Sequence, residues 1–173
     1  MKFSTKGRYA LRLMVELSRH SAGKNISLKE ISQAQDISLK YMEQIITPLT
    51  RAGLVKSGRG SQGGYRLARP AGEYTAGEIL RAVEGDLAPI QCLEDEVNQC
   101  PHYANCSTVR FWAGLDKVIR EYVDGVHLDE LKSLNEEAAL ASGMTVDEFL
   151  EEAGMGSADR GIRLCSVKPR NGD

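Results

Sequence analysis

Three of the chain's four cysteines stand in one acidic, loop-like stretch, CLEDEVNQCPHYANC, residues 92–106. Seven residues separate Cys92 from Cys100, and five separate Cys100 from Cys106. Thiolates grouped this way ligate soft metals or iron–sulfur clusters, or cycle through disulfides. Three is awkward for such chemistry. Disulfides consume cysteines in pairs, and a closed tetrahedral site takes four ligands. His102, in Cys100-Pro101-His102, is the first substitute for a fourth ligand, ahead of Glu94, Asp95 and Glu96 and of Cys165 far downstream. Cys92, Cys100, Cys106 and His102 together form a set that zinc accepts, although the spacing lacks the short paired intervals of zinc fingers. A metal-free thiol sensor is a further reading of the same residues.

The compartment bears on that choice. With 173 residues the chain can bury one good core plus a small appended segment, and its composition is that of a soluble globular protein. No apolar run approaches the roughly 18 residues that a bilayer span requires. Lys6, Arg8, Arg12 and Glu16 interrupt the N-terminal MKFSTKGRYALRLMVEL, which has no signal-peptide cleavage site. These features predict a cytoplasmic protein with no membrane contact, where clustered cysteines bind metals or do redox work more often than they form structural disulfides. Enzyme chemistry finds no support: the loop has no Cys-x-x-Cys pair, and no glycine-rich cofactor loop opens a helix in a βαβ unit.

Charge is divided along the chain. Residues 1–70 hold 13 Lys/Arg against 4 acids, a net of +9, and the remainder holds 9 against 20, a net of −11. A basic half of this kind is the footprint of a polyanion partner.

The elements that position these groups follow from periodicity. Residues 6–20 read as an amphipathic helix with Ala10, Leu13, Met14 and Leu17 on one stripe. Ser27–Glu30 is a capping box opening a short helix that turns Leu28, Ile31 and Ala34 inward. After a turn at Gln35-Asp36, Ser38 is the expected cap of a third helix reaching about Ala52, with Met42, Ile45, Ile46 and Leu49 as its apolar face. Pro48 predicts a kink near 44–47 or an earlier end. Strands at 54–56 and 65–68 flank SGRGSQGG as a hairpin. Two helices joined by a tight turn, then a hairpin, make a winged helix-turn-helix, so the fold class is mainly α with a small β-hairpin.

Beyond Pro70, Thr75–Glu78 is a second capping box opening a helix through Val83. The cysteine segment follows as a loop. Ser107 is the expected cap of a longer helix reaching Tyr122, whose stripe of Trp112, Leu115, Ile119, Tyr122 and Val123 suits packing on another subunit or back on its own winged helix. Further helices are expected at 129–141 and 145–153, and a flexible tail from 156. The domain plan is thus 1–84 winged helix-turn-helix, 85–106 cysteine loop, 107–125 dimerisation helix, 126–155 helical segment and 156–173 tail.

A helix seated in a major groove presents short polar side chains near its start. Ser38, Lys40, Tyr41, Glu43 and Gln44 hold that position: Gln pairs with adenine, Glu accepts from cytosine N4, and Lys donates to guanine or phosphate. Arg59, between Gly58 and Gly60 in the wing, can enter a narrow minor groove. Lys2, Lys6, Arg8 and Lys56 are candidates for phosphate contacts.

STKGRYAL at the start, ISLKYMEQ on the third helix and RGSQGGYRL in the wing occur in an order that resembles the Rrf (type two) family of bacterial winged-helix transcription regulators, over about residues 1–125. The resemblance implies a homodimer crossed through the helix at 107–123, bound to a pseudo-palindromic double-stranded DNA operator. It carries base reading to Ser38, Lys40, Tyr41, Glu43 and Gln44, and minor-groove entry to Arg59 and Gly60. It also implies that Cys92, Cys100 and Cys106 hold a 2Fe–2S cluster completed by a non-thiolate ligand, making the chain a redox sensor. Lys40 departs from the small residue common there in the family. IscR-like members place a histidine where this chain has Val109, and NsrR-like members use an acid on the partner's first helix where this chain has Arg8. The alternative is a metal-free or zinc-bound regulator of sulfur metabolism, controlled by thiol oxidation or a regulatory protein partner.

Overall fold

The computed structural model describes residues 4–20, 23–60, 63–94 and 100–133. The chain divides into two units, 1–130 and 131–173, and the labelled helices and strands below all belong to the first. Helix α1 (Thr5–Ser18) buries Ala10, Leu13, Met14 and Leu17, as its period requires. Helix α2 (Leu28–Gln35) opens with a closed capping box: Ser27 Oγ accepts from the Glu30 N–H at 3.2 Å, and the Glu30 carboxylate accepts from the Ser27 N–H at 2.9 Å. These Ser27 hydrogen bonds hold the Glu30 carboxyl below its usual range. Of the residues expected to face inward here, Ile31 is buried, Leu28 is half-buried and Ala34 is exposed.

Asp36 ends α2 in the left-handed region, at φ 53° and ψ 48°, with its N–H on the carbonyls of Gln33 and Ser32. That single residue turns the chain into helix α3 (Leu39–Arg51), which buries Met42, Ile45, Ile46 and Leu49. Two expectations need correcting. Ser38 occupies the cap position, but its side chain makes no capping bond; its carbonyl accepts from the Tyr41 and Met42 N–H groups, each at 3.0 Å. Pro48 does not end the helix early. It removes one backbone donor, while its own carbonyl accepts from Ala52 at 2.9 Å and the buried Leu49 beside it anchors the last turn.

Strands β1 (Val55–Gly58) and β2 (Gly64–Leu67) pair antiparallel, from Val55 opposite Leu67 to Gly58 opposite Gly64. Leu54 and Ala68, expected inside the strands, lie just outside them. Ile26 adds a third, one-residue rung: it exchanges backbone bonds with Tyr65 at 2.9 and 2.8 Å. Gly64 makes this possible, because a Cβ there would meet the Ile26 carbonyl oxygen at 2.4 Å.

A 3-10 turn (Ala71–Glu73) leads to Tyr74, which is fully buried. Its hydroxyl accepts from the Ala68 and Arg69 N–H groups at 2.8 and 2.9 Å and donates to the Leu54 carbonyl at 2.8 Å. Burial pushes this phenol above its ordinary pKa. Helix α4 (Ala76–Glu84) is capped by Thr75 Oγ1 at 3.1 Å from the Glu78 N–H, but the Glu78 carboxylate turns to Arg69, so the expected second capping box stays half-formed. Helix α5 (Val109–Gly125) buries Val123 with Leu80 and Leu87 in a cluster on which Leu11 and Ile119 also pack. Beyond it the chain is pinned back: the Ala76 N–H reaches Val126 at 2.8 Å, and the Leu128 N–H reaches Tyr74 at 3.1 Å. Residues 128–133 are helical; the rest of the helix expected at 129–141, the helix at 145–153 and the tail with Cys165 lie outside the described residues.

Candidate nucleic-acid interface and thiol loop

The buried side of α3 determines what its other side offers. With Met42, Ile45, Ile46 and Leu49 inward, Ser38, Lys40, Glu43 and Gln44 are exposed together along the first two turns. Thr47 extends this exposed row by one more turn and was not singled out in the sequence, although its spacing from Glu43 and Gln44 marks it. Tyr41 differs from its neighbours. It is half-buried, its ring edge-on to Tyr9 of α1 at 5.8 Å, so it fastens the start of α3 to α1 as well as facing outward. Arg8 and Arg12 lie over the Tyr9 ring at 5.7 and 5.4 Å, which sets two cations beside that junction. Arg12 also donates to the Gln35 side chain and carbonyl, both at 2.9 Å, tying α1 to the end of α2.

In the wing Arg59 is exposed, and Gly60 takes φ 93°. The Gly63 N–H closes a tight turn onto the Gly60 carbonyl at 2.9 Å. An L side chain at position 60 would strain that turn, so glycine is what lets the chain turn directly after the exposed Arg59. Lys6, Arg8 and Lys56 are all exposed, whereas Lys2 lies outside the described residues.

One carboxylate joins this surface to the thiol loop. Glu84, the last residue of α4, places a single oxygen at 2.9 Å from the Gly7 N–H, 3.0 Å from the Ser4 N–H and 2.6 Å from the Ser4 hydroxyl. It thereby satisfies donors at the N-terminus of α1, where a negative charge is also favoured by the helix dipole. Gly85 follows at φ 88° and starts the loop. No sequence pattern pointed to Glu84, which is 77 residues from Gly7.

Cys92 sits in a 3-10 turn (Gln91–Leu93), and Cys106 ends another (Tyr103–Asn105) whose head is His102. Cys92, Cys100 and Cys106 are each half-buried and outside any disulfide; His102 is exposed. Among the described residues no three His, Cys, Asp or Glu side chains converge as a metal cage. Thr108, rather than the expected Ser107, is the cap residue of α5, and it makes no side-chain capping bond. Its hydroxyl instead lies 3.5 Å from the Cys106 sulfur. That hydroxyl, with the Thr108 and Val109 N–H groups, holds the Cys106 thiol below its ordinary pKa.

The stripe expected on α5 splits in two. Ile119 and Val123 pack within their own chain, while Trp112 is half-buried. Phe111, Leu115, Val118 and Tyr122 form a separate outward row with 65, 37, 61 and 63% of their surfaces exposed.

This arrangement matches a known family. The model of the Rrf2 family, an iron-dependent transcriptional regulator, matches residues 3–133. The chain belongs to the Rrf2 family. It is 40% identical over 133 residues to the transcriptional regulator CymR of Bacillus subtilis, covering 77% of this chain and 91% of that one. IscR of Vibrio vulnificus is 35% identical over 147 residues, covering 85% and 86%. The solved structure of B. subtilis CymR, the global cysteine regulator of that organism, aligns with a TM-score of 0.63 over 77% of this chain and 97% of that one. That of T. potens IscR, 37% identical, aligns with a TM-score of 0.63 over 80% and 90%. As an Rrf2 protein with their winged-helix fold, the chain is a DNA-binding transcriptional regulator and not an enzyme. No helix among the described residues is long and apolar enough to cross a membrane.

Proposed function

We propose that the chain acts as a homodimer that binds a double-stranded operator and reports iron–sulfur or redox state through a 2Fe–2S cluster held by Cys92, Cys100 and Cys106. The observation that carries this reading is the setting of Cys106. Its thiol is tilted toward the thiolate, the form that ligates iron, at the point where the loop becomes α5. The donor set fits in kind, as three half-buried thiols on one loop, and a non-thiolate fourth ligand would come from His102 or from an acid such as Glu94. Closure of the loop would have to bring the sulfurs together, since they do not converge in the described structure. When bound, the cluster supplies a centre whose oxidation or loss changes what that loop encloses.

The chain's own residues would carry the consequence. The loop begins one residue after Glu84, which holds the start of α1, and ends at α5, which offers the apolar row Phe111, Leu115, Val118 and Tyr122 to a second subunit. Tension in the loop therefore acts on both the seating of α1 and the angle between subunits. In the operator complex, Ser38, Lys40, Tyr41, Glu43 and Gln44 face base edges, with Arg59 and Gly60 at the minor groove. A ligand state that favours one dimer geometry shifts operator affinity by its differential stability.

A second reading is a metal-free or zinc-bound regulator of cysteine metabolism, governed by thiol oxidation or a protein partner. Similarity to CymR supports it. Anaerobic purification decides between the two. Brown protein with visible absorption, iron and acid-labile sulfide is expected; colourless, iron-free protein would sink the cluster, and its zinc content and thiol count would then sort the alternatives.

A further inference from the structure

We propose that the groove at the base of the wing binds a small organic anion, with a compact apolar body and a phosphate or carboxylate head. The groove encloses about 450 Å³ between the end of α1, residues 23–24, β1, and the segment leaving β2. That size is in the range of small-ligand sites. His20, Lys24, Lys56, Arg66 and Arg69 line it, buried Leu17 lies beneath, and among the described residues none of the lining is acidic. Cations drawn from separate segments into one concavity repel each other, and an anion placed among them relieves that repulsion.

Existing partners account for only part of this charge. Arg69 is paired with Glu78, and His20 lies 3.6 Å from Glu16. Arg66 donates to the neutral Asn25 amide oxygen at 2.8 Å, which leaves its charge unneutralised by that contact. Lys24 and Lys56 are exposed, and lysine stems are long enough to swing over a head group while the apolar floor receives the body. The site is distinct from the base-reading row of α3, and among its cations only Lys56 is also a candidate phosphate contact. Helix α3 contributes no lining residue, and Lys56 and Arg66 face each other two rungs from the Gly58–Gly64 end that leads to Arg59. A DNA backbone is a convex rod, so a concave site with an apolar floor favours a small ligand over phosphodiester contact.

Isothermal titration of the full-length protein with phenyl phosphate tests the assignment, with inorganic phosphate and benzyl alcohol as head-only and body-only probes. Saturable phenyl phosphate binding is expected, tighter than inorganic phosphate and absent for benzyl alcohol. The Lys24→Gln/Lys56→Gln double variant is expected to weaken it by about tenfold or more, since two charge-assisted contacts are lost. Both lysines are exposed, so the variant's thermal melting should match the parent. No saturable binding, or binding unchanged in the double variant, overturns the proposal. So does a double variant that loses only salt-dependent operator affinity, because that would assign the groove to the DNA backbone. The titration needs neither operator nor cluster, so its failure is distinct from failure of the function proposed above.

Discussion

Helices α3 and α5 are both amphipathic, yet only α3 buries most of its apolar face inside its own chain, with Leu39 left exposed at its start. Met42, Ile45, Ile46 and Leu49 are all buried, whereas α5 seats Val123 and leaves Phe111, Val118 and Tyr122 more than half exposed. The first helix is complete as a monomer, and its polar side is available for DNA. The second is incomplete without a covering surface, and it leads directly from the thiol loop. Folding thus rests on α3, while the outward row of α5 is left uncovered; on the function proposed above, a sensor acts on assembly without unfolding the reader.

Truncation sets the two helices apart most sharply. Leu49→Ala should cost about 2–5 kcal/mol of stability, read by urea denaturation, because it opens a cavity under α3. Val118→Asp on α5 should leave the monomer's fold intact yet move sedimentation equilibrium toward monomer. A Val118→Asp protein that stays dimeric would remove α5 as the subunit contact. Next in size is Tyr74→Phe, which strips the acceptor of two backbone N–H groups and the donor to Leu54 from a fully buried site. About 1–3 kcal/mol is expected from the same denaturation measurement. Asp36→Gly should act in the opposite direction, raising stability by about 0.5–1 kcal/mol by relieving a left-handed backbone at the turn before α3.

The smallest effect belongs to the α5 side and leaves stability aside. Thr108→Val removes the largest contributor to the lowered Cys106 thiol pKa. A higher thiol pKa means less thiolate at neutral pH, so alkylation of Cys106 by iodoacetamide should slow, and its pH midpoint should move up. Thr108→Ser should restore the rate. An unchanged midpoint in Thr108→Val would show that the hydroxyl does not hold the sulfur.

The parts of this molecule that were legible in sequence are those that repeat locally. The stripes of α1 and α3, the Ser27–Glu30 box and the glycine-rich wing each declare themselves within a few residues. Ser38 misled because a serine in the cap position reads as a cap whether or not its hydroxyl is used. Pro48 does not end α3 early because its local cost is outweighed by the buried Ile45, Ile46 and Leu49 around it. The α5 stripe was read as one face because Trp112, Leu115, Ile119, Tyr122 and Val123 share helical spacing, and spacing alone does not say which neighbours a chain supplies for itself. Ile26, Tyr74 and Glu84 went unnoticed for a common reason: each acts through single long-range contacts, and a single contact has no period. The surface positions of Ser38, Lys40, Glu43, Gln44 and Arg59 followed once the helix and hairpin were placed, whereas the geometry of three sulfurs across an irregular loop is written in no repeating pattern.

The contact between Glu84 and the start of α1 reaches into inheritance as well as structure. A Cβ on residue 7 would fall 2.4 Å from the Glu84 carboxylate oxygen, so the two positions are not free to vary independently. A relative that gains a side chain at position 7 must shorten, move or lose the acid at position 84, and with that shift it gives up the carboxylate's contacts to Ser4 and Gly7. The two are expected to be inherited as a pair. Where the pair is broken, the link from cysteine loop to first helix has been rebuilt in some other way.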